Sequence, residues 1–121
     1  MLFRSESLLR FDGVYRAKLQ PRKDEDQNYC YLRLYADKTA LYTTSAENPS
    51  ELAKSFNVKS GNVPQGPYKL NGDTIRIEFP AVNMTVVFSG TVDKNRLVLD
   101  SKRFSNSPAV RDEFLFMGWW P

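Results

Sequence analysis

The chain has 121 residues, of which 41% are hydrophobic, 26% charged and 13% aromatic, enough for one domain that buries roughly two-thirds of the surface its unfolded form exposes. It contains no histidine and a single cysteine, which removes the commonest general base and metal ligand, excludes Ser-His-Asp and Cys-His catalysis, and leaves no internal disulfide. The net charge is +3 and the pI about 9.1, but Lys and Arg are never more than two in a row and acidic residues lie close by, so a mixed solvated surface is expected and no nucleic-acid face.

Residues 1–10 read as a lead-in segment, with Leu2, Phe3, Leu8 and Leu9 available to cover an open edge or a barrel end. The charges at Arg4, Glu6 and Arg10 interrupt the apolar run of a signal core, and nothing approaches the ~20 apolar residues of a membrane span. With one cysteine and no leader, a cytoplasmic protein without membrane association is expected.

The first strand is expected over Phe11–Leu19, where Gly13 permits a sharp bend or a close backbone approach. A polar loop follows at Gln20–Gln27, with five consecutive charges from Arg22 to Asp26; the acidic part, Asp24 to Asp26, reads as a solvated loop and not as a cation site. Tyr29–Ala36 and Thr39–Thr44 form a hairpin through Ala36-Asp37-Lys38. Its first strand carries Tyr29, Tyr31, Arg33 and Tyr35 on one face and Cys30, Leu32, Leu34 and Ala36 on the other, since side chains alternate along a strand.

Glu47–Asn57 breaks the alternation. Asn48 can cap a helix, Pro49 suits its first turn, and Leu52, Ala53 and Phe56 share a face, so a short helix of two or three turns is expected there. After the loop Lys59–Gly66 come Pro67–Leu70, an Asn71-Gly72 turn with the positive φ of tight hairpins, and Thr74–Phe79. Met84–Val92 and Arg96–Asp100 follow, then a polar loop Ser101–Asp112 and a last strand Glu113–Trp119. The expected fold is all-β: an eight-stranded antiparallel meander barrel with one short helix near 47–57, a single domain over 1–121, because closure removes the edges that invite aggregation.

Gly13-Val14-Tyr15-Arg16 resembles the glycine-x-aromatic opening of lipocalin-like barrels, the calycin group. The runs GPYKLNGDTIRIEF and FSGTVDKNRLVLDS are similar to the strand-and-turn cadence of small lipocalin-like domains, a likeness covering most of 11–118. FDGVY, YCYLRLYADKTALYTTS and GPYKL also resemble the β-rich C-terminal region of F-box-only proteins, although no F-box helices precede them and a ubiquitin-ligase role does not carry over. Both resemblances imply the same lipocalin-like barrel. The lipocalin tryptophan is replaced by Tyr15, the closing helix after the last strand is missing, and the arginine that such barrels pack across the first strand would fall to Arg103 or Arg111.

Two surfaces could carry function. Facing inward, Tyr31, Arg33 and Tyr35 with Tyr42 and Arg76 would form an aromatic pocket whose guanidinium groups suit a carboxylate or phosphate head. The leading expectation is therefore non-catalytic binding of a small, partly apolar, anionic ligand, with Tyr31, Tyr35 and Tyr42 as walls and Arg33 and Arg76 as head-group partners. Facing outward, the Tyr/Arg stripe would serve a protein-interaction module of the inhibitor or immunity type. The aliphatic strands Ile75, Ile77, Phe79 and Leu97, Leu99 tilt the choice outward, because they require Leu32 and Leu34 to join them in the core. Glycoside chemistry would need Glu78 and Glu113 on one inward surface. No catalytic residue, cofactor or metal is expected. Cys30 reads as a small buried hydrophobe, and the chain as a monomer or a weak homodimer through Trp119-Trp120-Pro121.

Overall fold

Eight strands follow one another in chain order: β1 (Gly13–Lys18), β2 (Tyr29–Leu34), β3 (Thr39–Ser45), β4 (Gln65–Asn71), β5 (Thr74–Pro80), β6 (Thr85–Asp93), β7 (Arg96–Lys102) and β8 (Val110–Gly118). A single helical turn, α1 (Pro49–Leu52), lies between β3 and β4. The computed structural model describes residues 9–18, 28–58, 63–80, 85–102 and 110–118. Each strand pairs antiparallel with its neighbour in sequence, and β8 pairs back onto β1, so the sheet is a closed barrel.

Directly opposed residues share a face, so the register sorts the whole wall. Tyr15 opposes Leu32, Leu32 opposes Tyr42, Tyr68 opposes Ile77, Ile77 opposes Phe88, and Leu97 opposes Phe114. All of these belong to the interior apolar cluster, together with Cys30, Leu34, Ile75, Phe79 and Leu99. The Leu face of the β2 hairpin is thus the inner one, as the aliphatic later strands require. The expected strand at Glu113 begins earlier, at Val110, and β7 runs on to Lys102. The polar sequence 101–112 had suggested a loop throughout, but Ser101 opposes Val110 and Asp100 binds Arg111, which extends the ladder at both ends of that segment.

The two barrel ends differ. At one, tight turns link β2 to β3, β4 to β5 and β6 to β7, with positive φ at Lys38 (73°), Gly72 (63°) and Asn95 (60°). Leu9 of the lead-in packs into the interior cluster at this turn end, the Arg10 amide donates to the Tyr15 hydroxyl at 2.8 Å, and the Arg10 guanidinium lies 4.3 Å over the Phe116 ring. The cation packed here therefore comes from the lead-in. Arg111, one of the two late-strand candidates, faces outward in an ion pair with Asp100, and Arg103, the other, lies outside the described residues. At the opposite, loop end the strands finish at Lys18 and Tyr29, Pro80 and Thr85, and Lys102 and Val110. The expected segments Gln20–Gln27 and Trp119–Pro121, and with them Asp24, Glu25 and Asp26, also lie outside the described residues.

A second, smaller apolar layer covers the outside of the first three strands. Val14, Tyr31 and Leu41 point outward and are buried against Leu52 and Phe56. Asn48 caps the turn, its Oδ1 accepting from the Glu51 amide at 2.9 Å, with Pro49 in the first turn. The expected helix of two or three turns is one regular turn, continued only by single hydrogen bonds such as Phe56 N to Leu52 O at 2.9 Å. That length suffices to place Leu52 and Phe56 four residues apart on the barrel wall.

Closure on a small radius draws neighbouring backbones together at particular positions. A Cβ at Gly13 would collide with the Met117 carbonyl oxygen, and one at Gly90 with that of Val98. Gly13→Ala is expected to destabilise the fold by at least ~2 kcal/mol in urea denaturation, because backbone must shift to admit the methyl. Gly72→Ala meets nothing within 4 Å and should cost only the left-handed penalty of about 1 kcal/mol. Equal losses at the two positions would contradict the close approach.

Candidate functional site

The five residues expected to bind ligand do not converge. Tyr31, Arg33 and Tyr35 belong to the outer face of the β2 hairpin, Tyr42 is on the inner face of β3, and Arg76 is exposed on the outer face of β5. Tyr31 is completely buried beneath the α1 segment, and its hydroxyl donates to the Glu47 carbonyl. Burial pushes the Tyr31 phenol above its ordinary range. Arg33 Nη1 donates to the Phe56 carbonyl at 2.7 Å, and its guanidinium packs 4.8 Å from the centre of the Tyr35 ring. These three side chains hold the 46–58 segment on the barrel; they neither line its interior nor form an open stripe. The physical reason is the register: Leu32 and Leu34 oppose Tyr42 and Ala40 inside, which sends Tyr31 and Arg33 out.

Tyr42 alone of the five faces the interior, and it sits at a distinctive place. The β3–β4 ladder has three register pairs and stops at Leu41–Gln65, whereas β5–β6 has seven. Beyond that point Tyr42 meets Phe79 of β5 directly, with ring centroids 5.2 Å apart, and Phe88 of β6 at 5.7 Å, both edge to face. Phe79 and Phe88 touch at 5.8 Å, and Phe88 reaches Phe114 at 6.1 Å. Such perpendicular contacts each add about 0.5–1.5 kcal/mol beyond area burial. Phe79 and Phe88 are 2% and 4% exposed, while Tyr42 is only half-buried. Small side chains stand nearby on the inner face: Ala17 opposes Cys30, and Cys30 opposes Thr44.

The inner face at the loop end also carries a carboxylate. Asp112 opposes Leu99, which fixes its side of the strand, and it alternates with Phe114 and Phe116. It was expected in a loop; the alternation Asp112, Phe114, Phe116 is the sequence signal that places it inside. It is half-buried, and desolvation raises its pKa. Among the described residues no other Asp, Glu, Lys or Arg takes an inner-face position in the register, so the expected guanidinium head-group partners stand outside the barrel.

Glu78 and Glu113, the carboxylates considered for glycoside chemistry, both face outward, paired with Arg76 at 3.0 Å and Arg96 at 2.9 Å. No group of three or more metal-ligating side chains occurs among the described residues. No helix among them is long and apolar enough to cross a membrane.

Arg33→Ala should therefore act on stability. It strips a charged donor from the part-buried Phe56 carbonyl, and a loss of about 1.5–3 kcal/mol is expected in urea denaturation, with Leu52 and Phe56 loosening from the wall; unchanged stability would return Arg33 to the functional list. For Asp112 the sign follows from its raised pKa. The native state holds the proton more tightly than the unfolded chain, so the contribution is full below the ordinary carboxylate pKa and is lost as pH rises through the raised value. Asp100, lowered by its hydrogen bond from Arg111, behaves oppositely, contributing above the ordinary value and losing that as pH falls. Melting curves of Asp112→Asn should accordingly gain on the parent as pH rises above about 4 and converge with it in stronger acid; a difference independent of pH would contradict the burial of that carboxyl. No protein-family model, curated protein or solved structure matches the chain, so its family is not fixed by comparison.

Proposed function

We propose that this protein binds, without catalysis, one small and largely apolar ligand inside the loop end of a lipocalin-like barrel. The observation that carries the reading is the edge-to-face set Tyr42, Phe79 and Phe88, in which Tyr42 is half-buried beside the buried Phe79 and Phe88 and toward the exposed Thr44. A half-buried aromatic beside Ala17, Cys30 and Thr44 offers a flat apolar wall with small side chains next to it. Eight-stranded barrels either fill with side chains or hold one small ligand, and the small residues beside Tyr42 favour the second.

The nature of the polar end follows from the charges on the inner face. An anionic head would meet Asp112 and no inner cation among the described residues, whereas a neutral donor or a cationic group would find an acceptor there. The ligand is accordingly an apolar body with an uncharged or cationic end, and Arg33 and Arg76 take no part in holding it. The single cysteine, buried among apolar neighbours, is in keeping with a reducing, cytoplasmic setting, and the chain acts as a monomer or weak homodimer.

Thr44 is exposed, and its register partner Cys30 belongs to the interior cluster, so Thr44→Trp would fill the mouth without disturbing the core. Native mass spectrometry of protein purified without denaturation should show a co-purifying small molecule, and the neutral fluorophore phenylnaphthylamine should bind the emptied protein. Both signals should be lost in Thr44→Trp and kept in Arg76→Ala. Absence of both from the parent protein would sink the proposal.

A further inference from the structure

The outer wall is covered over β1–β3 by Leu52 and Phe56, but the face formed by β4–β7 carries an open groove of about 520 Å³ in which polar side chains stand over a lining that is largely apolar, the carbon stems of those side chains with Ile75 and Gly90. Register fixes its contents. Lys69 on β4 stands directly opposite Arg76 on β5, Arg76 opposite Ser89 on β6, and Ser89 opposite Asp100 on β7. One row along, Asn71 opposes Thr74 and Thr74 opposes Thr91.

Two like charges directly opposed across a ladder are destabilising, and here little offsets them. Glu78 engages Arg76 through Nε at 3.0 Å, and the terminal guanidinium nitrogens bind nothing among the described residues. Lys69 has no ion pair among them. The one carboxylate in the groove, Asp100, is already held by Arg111 in a two-pronged contact of 2.8 and 3.1 Å. The five charged groups Lys69, Arg76, Glu78, Asp100 and Arg111 leave one net positive charge, concentrated between Lys69 and Arg76.

We infer that this groove is a second binding site, separate from the barrel interior, for a small phosphorylated polyol. Lys69 and the free end of Arg76 supply a point charge and a planar donor pair, the combination that grips phosphate oxygens. Around them the groove presents groups suited to hydroxyls: the Ser89 and Thr91 hydroxyls, the Asn71 amide, and the Thr74 hydroxyl, which donates to the Asn71 carbonyl at 2.6 Å and keeps its oxygen lone pairs for a ligand donor. The groove exceeds the size of a bare phosphate, and beside the two cations a polyol would set its hydroxyls on these four polar groups and its carbon backbone on the apolar part of the lining. The sequence had marked Arg76 as an anion partner; the register moves that role to the outside and supplies Lys69.

Titration of the full chain with glycerol phosphate, followed by calorimetry and by amide chemical shifts, tests the site. Binding should move the amides of residues 69–71, 74–76 and 89–91 and weaken as salt is raised. Lys69→Gln should lower affinity by about ten-fold or more while leaving the melting temperature unchanged or higher, since a like-charge pair is removed. Lys94→Gln, which deletes an equal charge at the β6–β7 turn, should bind as the parent does. Glycerol should not bind, and inorganic phosphate should bind more weakly than glycerol phosphate. Equal losses in the two lysine variants, shifts spread over other residues, or no binding at millimolar ligand would overturn the site. Inorganic phosphate binding as tightly as glycerol phosphate would overturn the polyol class. Because Thr44→Trp acts on the interior, it should leave glycerol phosphate binding intact, and a loss there would show that the two sites are not separate.

Discussion

Strand β1 is hydrogen-bonded on both sides, to β2 and to β8, and every other feature depends on that closure. A closed antiparallel wall has no edge, so each residue has one of two fates, inside or outside, fixed by its partners on both neighbouring strands. Around the ring the assignments must agree, and they do: the inner row from Tyr15 through Leu32, Tyr42, Phe88, Leu97 and Phe114 is apolar throughout, apart from the Tyr15 and Tyr42 hydroxyls. A slip of one residue in any ladder would turn a whole strand's apolar set outward. The close approaches at Gly13 and Gly90 are the steric counterpart of that ring, where side chains give way so that backbone can bend.

The outside of the wall is divided. Over β1–β3 it is a second apolar layer, in which the α1 turn buries Leu52 and Phe56 against Val14, Tyr31 and Leu41. Over β4–β8 it is charged and open, with Arg–carboxylate pairs at Arg76, Arg96 and Arg111. Exposed pairs of this kind contribute little to stability, so that half of the surface is free to vary for reasons other than folding. The interior is divided as well, along its axis. Leu9, Arg10 and the Tyr15–Phe116 contact close the turn end, leaving the half-buried Tyr42 and Asp112, the one inner carboxylate among the described residues, at the loop end.

Much of the architecture was legible in the sequence because period-two alternation and turn chemistry are local. Ile75, Ile77 and Phe79 read as one face, Asn71-Gly72 as a turn, and Asn48-Pro49 as a helix start, and each stands so in the fold. The site was less legible because it is made by register, which is not local. Nothing in YCYLRLY states that Tyr31 will be covered by residues more than twenty positions away, and the Tyr/Arg stripe looks like a binding surface until Leu52 and Phe56 are laid over it. Lys69 and Arg76 are separated by a hairpin turn and meet only through strand pairing. Asp112 was hidden by polar composition, although its alternation with Phe114 and Phe116 carried the information.

The order of the ladders also bears on how the chain reaches this state. Seven of the eight join strands consecutive in sequence, so most of the wall can assemble from hairpins that each close a short loop at small entropic cost. The β1–β8 ladder is the exception, gathering the two extremes of the barrel at one time. Its closure sets a single large search at the end of otherwise local assembly, a pattern that places the kinetic barrier in bringing Gly13 to Gly118 and not in forming any one hairpin. Until then the chain would be an open sheet with two bare edges, the state in which association between copies competes with completion of the ring.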